Sequence, residues 1–316
     1  MINKFLYGKA FLDIRNHYVF PLLSTSVGIE KAEYWIMKNV LDRQLGYPIE
    51  LNEKSFKLSF QKEDFYKSLV AQINLFQSKT VAQFNNFSNK ISPNWQFVTR
   101  YYYSYLSGLV FLLFHHQCFT FLSESILNNI ISLFDCYGLN PNFITKLKPG
   151  DYLFTEEKLE DNKVVINFSL DDSNGGSHAH LWKRIDILIS EIIKKADSNE
   201  KQIYDQLHLL CNQNRYFAPN FPSETRNYFN YTPESAINNF NNKINFIDNI
   251  DEKFIDRFIK IVPNKNDSFY EKARYSQYYG IIISSLKEKL YEEYITRGHE
   301  EDEFFQKNGK ITKFVI

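Results

Sequence analysis

Trp95 to Phe121 reads WQFVTRYYYSYLSGLVFLLFHHQCFTF and is the most apolar run of the chain. Its length invites a membrane reading. Arg100 near one end and His115-His116 near the other leave too short an uncharged run, however, and nothing beside it resembles a topogenic signal. The run is therefore expected to be a buried core helix. Arg100, Ser104, Ser107, Phe111 and His115 fall roughly on one helical face, and Ser104, Ser107 and Gly108 make a strip of small residues that lets a second helix approach closely.

On the N-terminal side, apolar residues recur at helical spacing from Phe65 to Phe87 (Leu69, Ile73, Phe76, Val81, Phe84) until Ser92-Pro93 breaks the pattern. Before that, Ile49 to Leu51 and Phe56 to Phe60 alternate apolar with polar residues around Asn52 to Ser55, which suits a short hairpin. Ile29 to Leu45 is expected as one early helix, stopped by Gly46-Tyr47-Pro48. On the C-terminal side, Ser123 to Cys136 predicts a helix capped at Gly138. Tyr152 to Thr155 and Val164 to Leu170 predict a second hairpin across Glu156 to Lys163. Asp171 to Ser177 is a loop that leads His178-Ala179-His180 into a helix through Trp182 and Ile192, and another helix spans about Glu200 to Cys211. Further helical spacing runs from Glu234 to Ile250, Phe254 to Ile261 and Asp267 to Arg297. The fold class is mainly α, a helical bundle with one or two small β-hairpins. Three consecutive segments are expected. Residues 1–92 form a helical region with a short hairpin, 93–262 a helical bundle with a hairpin insertion at about 150–172, and 263–316 a long helix with a charged tail.

Composition limits the function. A chain of 316 residues that is 44% hydrophobic can bury a sizeable core. Its 37 basic and 37 acidic residues cancel, so no global field draws it to nucleic acid or a membrane, and any nucleic-acid contact is local. Cys118, Cys136 and Cys211 show neither pairing motifs nor metal spacing, which suits a reducing cytoplasm. The opening MINKFLYGKAFLDIRNHY lacks a sustained apolar core followed by a small-residue cleavage site, so a secretory signal is not expected.

Phe221 to Glu234, FPSETRNYFNYTPE, is the richest stretch for chemistry. Thr232 suits an N-cap, Pro233 a first helical position and Glu234 the positive end of the helix dipole, which sets Arg226 and Asn227 just ahead of a helix. Donors concentrated there fit a phosphate or carboxylate; the alternative is an arginine that ties its loop to neighbouring carbonyls. His178 and His180 have no further ligand at helix-paired spacing, so no metal and no cofactor are expected, and helix-entry histidines that hydrogen-bond locally are the plain alternative. Glycine-rich phosphate loops, His-Glu-x-x-His and Gly-x-Ser-x-Gly are absent from the sequence. Tyr270, Tyr275, Tyr278, Tyr279, Tyr291 and Tyr294 lie among Lys and Arg as base-stacking residues do, with core packing the simpler explanation.

The order of these features resembles the HEPN superfamily. It comprises Arg100-Tyr101-Tyr102-Tyr103 on an apolar helix, a second helix, Ser177 to Trp182 entering a third, then Arg226-Asn227 before Asn230-Tyr231. The resemblance covers Trp95 to Ile261 and implies a helical bundle, a homodimer and a partner protein in a prokaryotic antiviral defence or toxin-antitoxin operon. Many members are metal-independent endoribonucleases. Active members place a histidine after the arginine with four to six residues between the two; with four between, the position here is Tyr231, and no histidine follows within reach. Transferred onto this chain, the resemblance assigns phosphorane stabilisation to Arg226, phosphate orientation to Asn227 and proton transfer to Tyr231 or His178, with Arg100, His180 and Arg215 as RNA contacts. A catalytically silent bundle that dimerises or docks onto an effector is the other expectation.

Overall fold

A computed structural model describes residues 8–87, 92–140, 147–160, 162–172, 176–211, 218, 220–231, 252–264 and 266–298. In chain order these residues form α1 (Lys9–Ile14), a π-helical turn (Arg15–Val19), a 3-10 turn (Phe20–Leu22), α2 (Ile29–Trp35), α3 (Met37–Asp42), β1 (Tyr47–Leu51) and β2 (Ser55–Gln61). There follow α4 (Lys62–Asn85), α5 (Pro93–Leu113), β3 (Gln117–Leu122), α6 (Glu124–Cys136), β4 (Gly150–Glu160) and β5 (Lys163–Leu170). The rest is α7 (Gly176–Ile193), α8 (Ser198–Leu210), α9 (Phe221–Tyr231), α10 (Glu252–Ile259) and α11 (Phe269–Gly298). Among the described residues the fold is mainly helical with one antiparallel sheet. The proposed helix 234–250, the tail beyond Gly298 and Arg215 lie outside the described residues.

The chain divides into two units built from interleaved segments. One comprises Leu22–Phe76 and Leu112–Ser177; the other comprises Met1–Pro21, Gln77–Phe111 and His178–Ile316.

The first unit carries the sheet, in strand order β1-β2-β5-β4-β3, every pair antiparallel. The two expected hairpins are present and are joined edge to edge through β2 and β5, a pairing that local alternation does not encode. Cys118, Phe154, Phe168, Phe56 and Leu51 stand opposite one another in register across all five strands and are all buried. Phe56 stacks on Phe168 at 4.8 Å between ring centroids. Each such ring removed from water contributes on the order of 1.5–3 kcal/mol. Helix α3 packs on α6 and β3, and α6 packs on β1.

Two expectations about this unit are corrected. Ile29 to Leu45 is not one helix, because Ile36 is extended (φ −60°, ψ 147°) and separates α2 from α3. The apolar run ends as a helix at Leu113, and Gln117 to Leu122 is a strand. His116 makes the change of direction with a left-handed backbone (φ 54°). The His116 carbonyl accepts from Glu156 N at 3.2 Å, and its Nδ1 lies 2.6 Å from Glu156 Oε2. The aromatic and β-branched residues Phe119, Thr120 and Phe121 are a strand signal that the length of the apolar run obscured.

The second unit is helical. A Cβ on Gly108 of α5 would come within 2.9 Å of Ile185 on α7, and one on Gly280 of α11 would meet Ser104 Oγ at 2.3 Å. The strip of small residues thus does what its composition suggested, admitting α7 and α11 against α5. Helix α11 also packs on α9 and on the π-helical turn, and α10 packs on α8. Tyr275, Tyr278, Tyr279, Tyr291 and Tyr294 are buried along α11, so these tyrosines are core residues.

Candidate functional site

Three helices of the helical unit bring the chemistry-bearing residues together. Tyr101 and Tyr105 are four residues apart on α5, His178 and Trp182 are four apart on α7, and each pair therefore shares a helical face. The His178 ring lies 4.1 Å from Tyr105 and 5.7 Å from Tyr101, centroid to centroid. Trp182 Nε1 donates to Tyr101 Oη at 3.1 Å, and Tyr101 Oη lies 3.0 Å from His178 Nδ1. The Ser223 hydroxyl of α9 is a further partner of the phenol. An indole N–H can only donate. With Trp182 and Ser223 donating to its two lone pairs, Tyr101 gives its own proton to His178 Nδ1, and the imidazole carries its proton on Nε2.

Arg226, from the middle of α9, completes the cluster. Its guanidinium lies 5.4 Å from the ring centroids of both Tyr101 and Tyr102. The side chain is only 8% exposed, its Nε has no hydrogen-bond partner, and no carboxylate pairs with it among the described residues. Aromatic faces attract a cation, but two of them are a thin substitute for the water it has given up. Burial, reinforced by the charge of Arg226, lowers the His178 pKa from 6.5 to about 4, so the imidazole is neutral at physiological pH. Burial likewise pushes the Tyr101 phenol upward, opposed by Trp182, Ser223 and the Arg226 charge. The result is a fixed cation beside a neutral imidazole and a chain of hydrogen bonds. Such a set can hold an oxyanion.

The structure corrects the local reading of this stretch. Arg226 and Asn227 do not precede a helix; α9 spans Phe221–Tyr231 and both are inside it. The cap, proline and acid pattern read at Thr232-Pro233-Glu234 occurs first at Asn220 to Glu224, where Asn220 O accepts from Ser223 N at 2.9 Å and Asn220 Nδ2 donates to Glu224 Oε1 at 3.0 Å. Residues 232–234 lie outside the described residues. Nor does Arg226 tie its backbone to carbonyls among the described residues.

Of the expected site residues, the fold unites Arg226 and His178. Asn227 is exposed, and Tyr231, five residues along α9 and roughly 140° around it from Arg226, is 76% exposed. His180 is buried about 200° around α7 from His178. Arg100 is half-buried with its guanidinium 4.8 Å from the Phe87 ring centroid, at a pocket it shares with Tyr101. Tyr101, Trp182 and Ser223 were missed as site residues. The i, i+4 pairing of Tyr101 with Tyr105 and of His178 with Trp182 was the available signal, though it does not show that the two pairs meet. Among the described residues no group of three His, Cys, Asp or Glu side chains is placed to hold a metal ion, and no helix is long and apolar enough to cross a membrane.

No family model matches the chain, and neither a curated protein nor a solved structure is significantly similar to it.

Proposed function

We propose that this chain is a HEPN-like component of a prokaryotic antiviral defence or toxin-antitoxin system that engages RNA at the Arg226–His178 cluster. The observation that carries the proposal is the buried Arg226 guanidinium with no carboxylate among the described residues. A phosphodiester supplies the missing anion, and Nε2–H of the neutral His178 supplies a second donor to it. For cleavage without a metal, the imidazole must accept the proton of the attacking 2′-hydroxyl at Nε2. That requires the proton on Nδ1 and the Tyr101 phenol turned to donate to Ser223, a rearrangement the same partners permit. Arg226 then balances the charge of the phosphorane, and the 5′-oxygen leaves with a proton from solvent.

The test is RNA binding and cleavage in excess EDTA by folded wild type, Arg226→Met and His178→Gln. Binding abolished by Arg226→Met, with any cleavage also lost in His178→Gln, supports the reading. Wild-type protein that binds no RNA sinks it. A second reading, a catalytically silent scaffold for a partner protein or a second copy, is favoured by the exposure of Asn227 and Tyr231 away from the cluster. Binding without cleavage, unchanged by His178→Gln, is its signature.

A further inference from the structure

Two neighbouring tyrosines of α5 flank the cluster, and their hydroxyls differ. The Tyr101 phenol is committed to Trp182, Ser223 and His178. Tyr102 turns its ring to the same charged and imidazole groups: the Arg226 guanidinium lies 5.4 Å from its centroid, and the His178 ring lies 5.7 Å away at an interplanar angle of 74°. Its body is held by packing against the buried cluster of Phe97, Val98, Phe229 and Ala273. Tyr102 is nevertheless only half-buried, and its hydroxyl is neither enclosed nor hydrogen-bonded among the described residues. An incoming molecule therefore meets it without breaking an existing bond. The cluster also lacks a group that gives up a proton. Arg226 keeps its protons, and His178, neutral at physiological pH, enters a cleavage step as the acceptor.

We infer that Tyr102 is the general acid of this site, giving its phenolic proton to the 5′-oxygen of the RNA phosphodiester. A phenol oxygen stands roughly 3 Å from its ring centre, so the hydroxyl is within about 9 Å of both the guanidinium and the imidazole whichever way the ring is turned, the breadth of one phosphate hydrogen-bonded on each side. One phosphodiester can thus touch all three groups. In the step, the 2′-oxygen forms its bond to phosphorus while its proton passes to His178 Nε2. The bond from phosphorus to the 5′-oxygen breaks, its electron pair stays on that oxygen, and the Tyr102 proton goes there in place of one from solvent. A 2′,3′-cyclic phosphate and a 5′-hydroxyl result, and the phenolate recovers a proton from the imidazolium through water. Phenols as a class keep their proton at neutral pH and are stronger acids than sugar alcohols, which suits them to protonate a departing alkoxide. The inference rests on the RNA reading for its substrate, while its own claim is the source of one proton.

Substitution of the leaving oxygen separates this role from a structural one. Tyr102→Phe keeps the ring against Arg226 and His178 and removes only the hydroxyl, so the fold and RNA affinity should stand. Cleavage of an RNA that wild type cuts should fall by about 10²–10⁴-fold. The same RNA carrying sulfur in place of the 5′-oxygen at the cleaved linkage has a leaving group that needs no proton, and on it Tyr102→Phe should match wild type. Should Tyr102→Phe fail to fold, Tyr102→Met serves in the same comparison. An equal loss on both substrates, or no loss on either, overturns the inference and leaves Tyr102 as a wall of the site. Wild type that binds RNA without cutting it also overturns the inference but keeps the Arg226 site; wild type that binds no RNA removes both.

Discussion

Lys287 and Arg226 are both buried cations of the helical unit, and their surroundings differ. Lys287, fully buried on α11, is ion-paired to Glu288 and donates to Gln77 Oε1 at 2.9 Å, while Gln77 Nε2 lies 3.4 Å from Glu288 Oε2. Burial still lowers its pKa, opposed by Glu288. Arg226 has two tyrosine faces and no carboxylate among the described residues. A buried charge whose partners are present is a structural device. One with no carboxylate among the described residues is where we propose that another molecule completes the site.

The sharpest way to break the comparison is Glu288→Ala, which strands Lys287 without its counter-charge. A loss of about 3–5 kcal/mol is expected in urea unfolding, and wild-type stability would mean that the carboxylate does not hold the lysine. Arg226→Met should behave in the opposite sense, with stability within about 1 kcal/mol of wild type or higher and phosphate binding gone. A loss as large as that of Glu288→Ala would make Arg226 a clasp of the fold.

The next test is pH. The folded His178 pKa, about 4, lies below its unfolded value of 6.5, so the unfolded chain binds the extra proton first on acidification. This contribution to stability is complete above pH 6.5, declines as pH falls towards 4, and should be missing from the profile of His178→Gln. Because Arg226 is part of the cause, a bound phosphate should raise the His178 pKa, which NMR titration with and without inorganic phosphate will register. An unmoved pKa would separate His178 from the anion site. The smallest effect belongs to the sheet unit, as a control outside the cluster. Gly138 has φ +68° and open space around its Cβ position, so Gly138→Ala should cost about 1 kcal/mol through backbone strain alone, with phosphate binding unchanged.

Much of this was legible in the chain. Residues 62–85, 124–136 and 269–298 are helices where apolar spacing put helices, and 47–61 and 150–170 are hairpins where alternation put hairpins. The Ser104, Ser107, Gly108 strip admits neighbouring helices as its small side chains allow. The misreadings occurred where one local signal masked another. The apolar length of Trp95 to Phe121 hid the strand after His116, and the cap at Thr232 drew attention from the equivalent pattern at Asn220 to Glu224. Arg226 and His178 were candidates from residue type alone. Their meeting over Tyr101, and the departure of Asn227 and Tyr231 to the surface, depended on the rotation of α9.

By itself the sequence determined the mainly helical class, the positions of the hairpins and the balance of charge, because periodicity and composition act over a few neighbouring residues. Only the tertiary structure decided that two hairpins and β3 share one sheet, that Lys287 finds its partners in Gln77 and Glu288 while Arg226 finds no carboxylate among the described residues, and that the Gln277 carboxamide is buried without a hydrogen-bond partner. Pairing and burial are properties of residues far apart in the chain, and no local pattern records which of them meet.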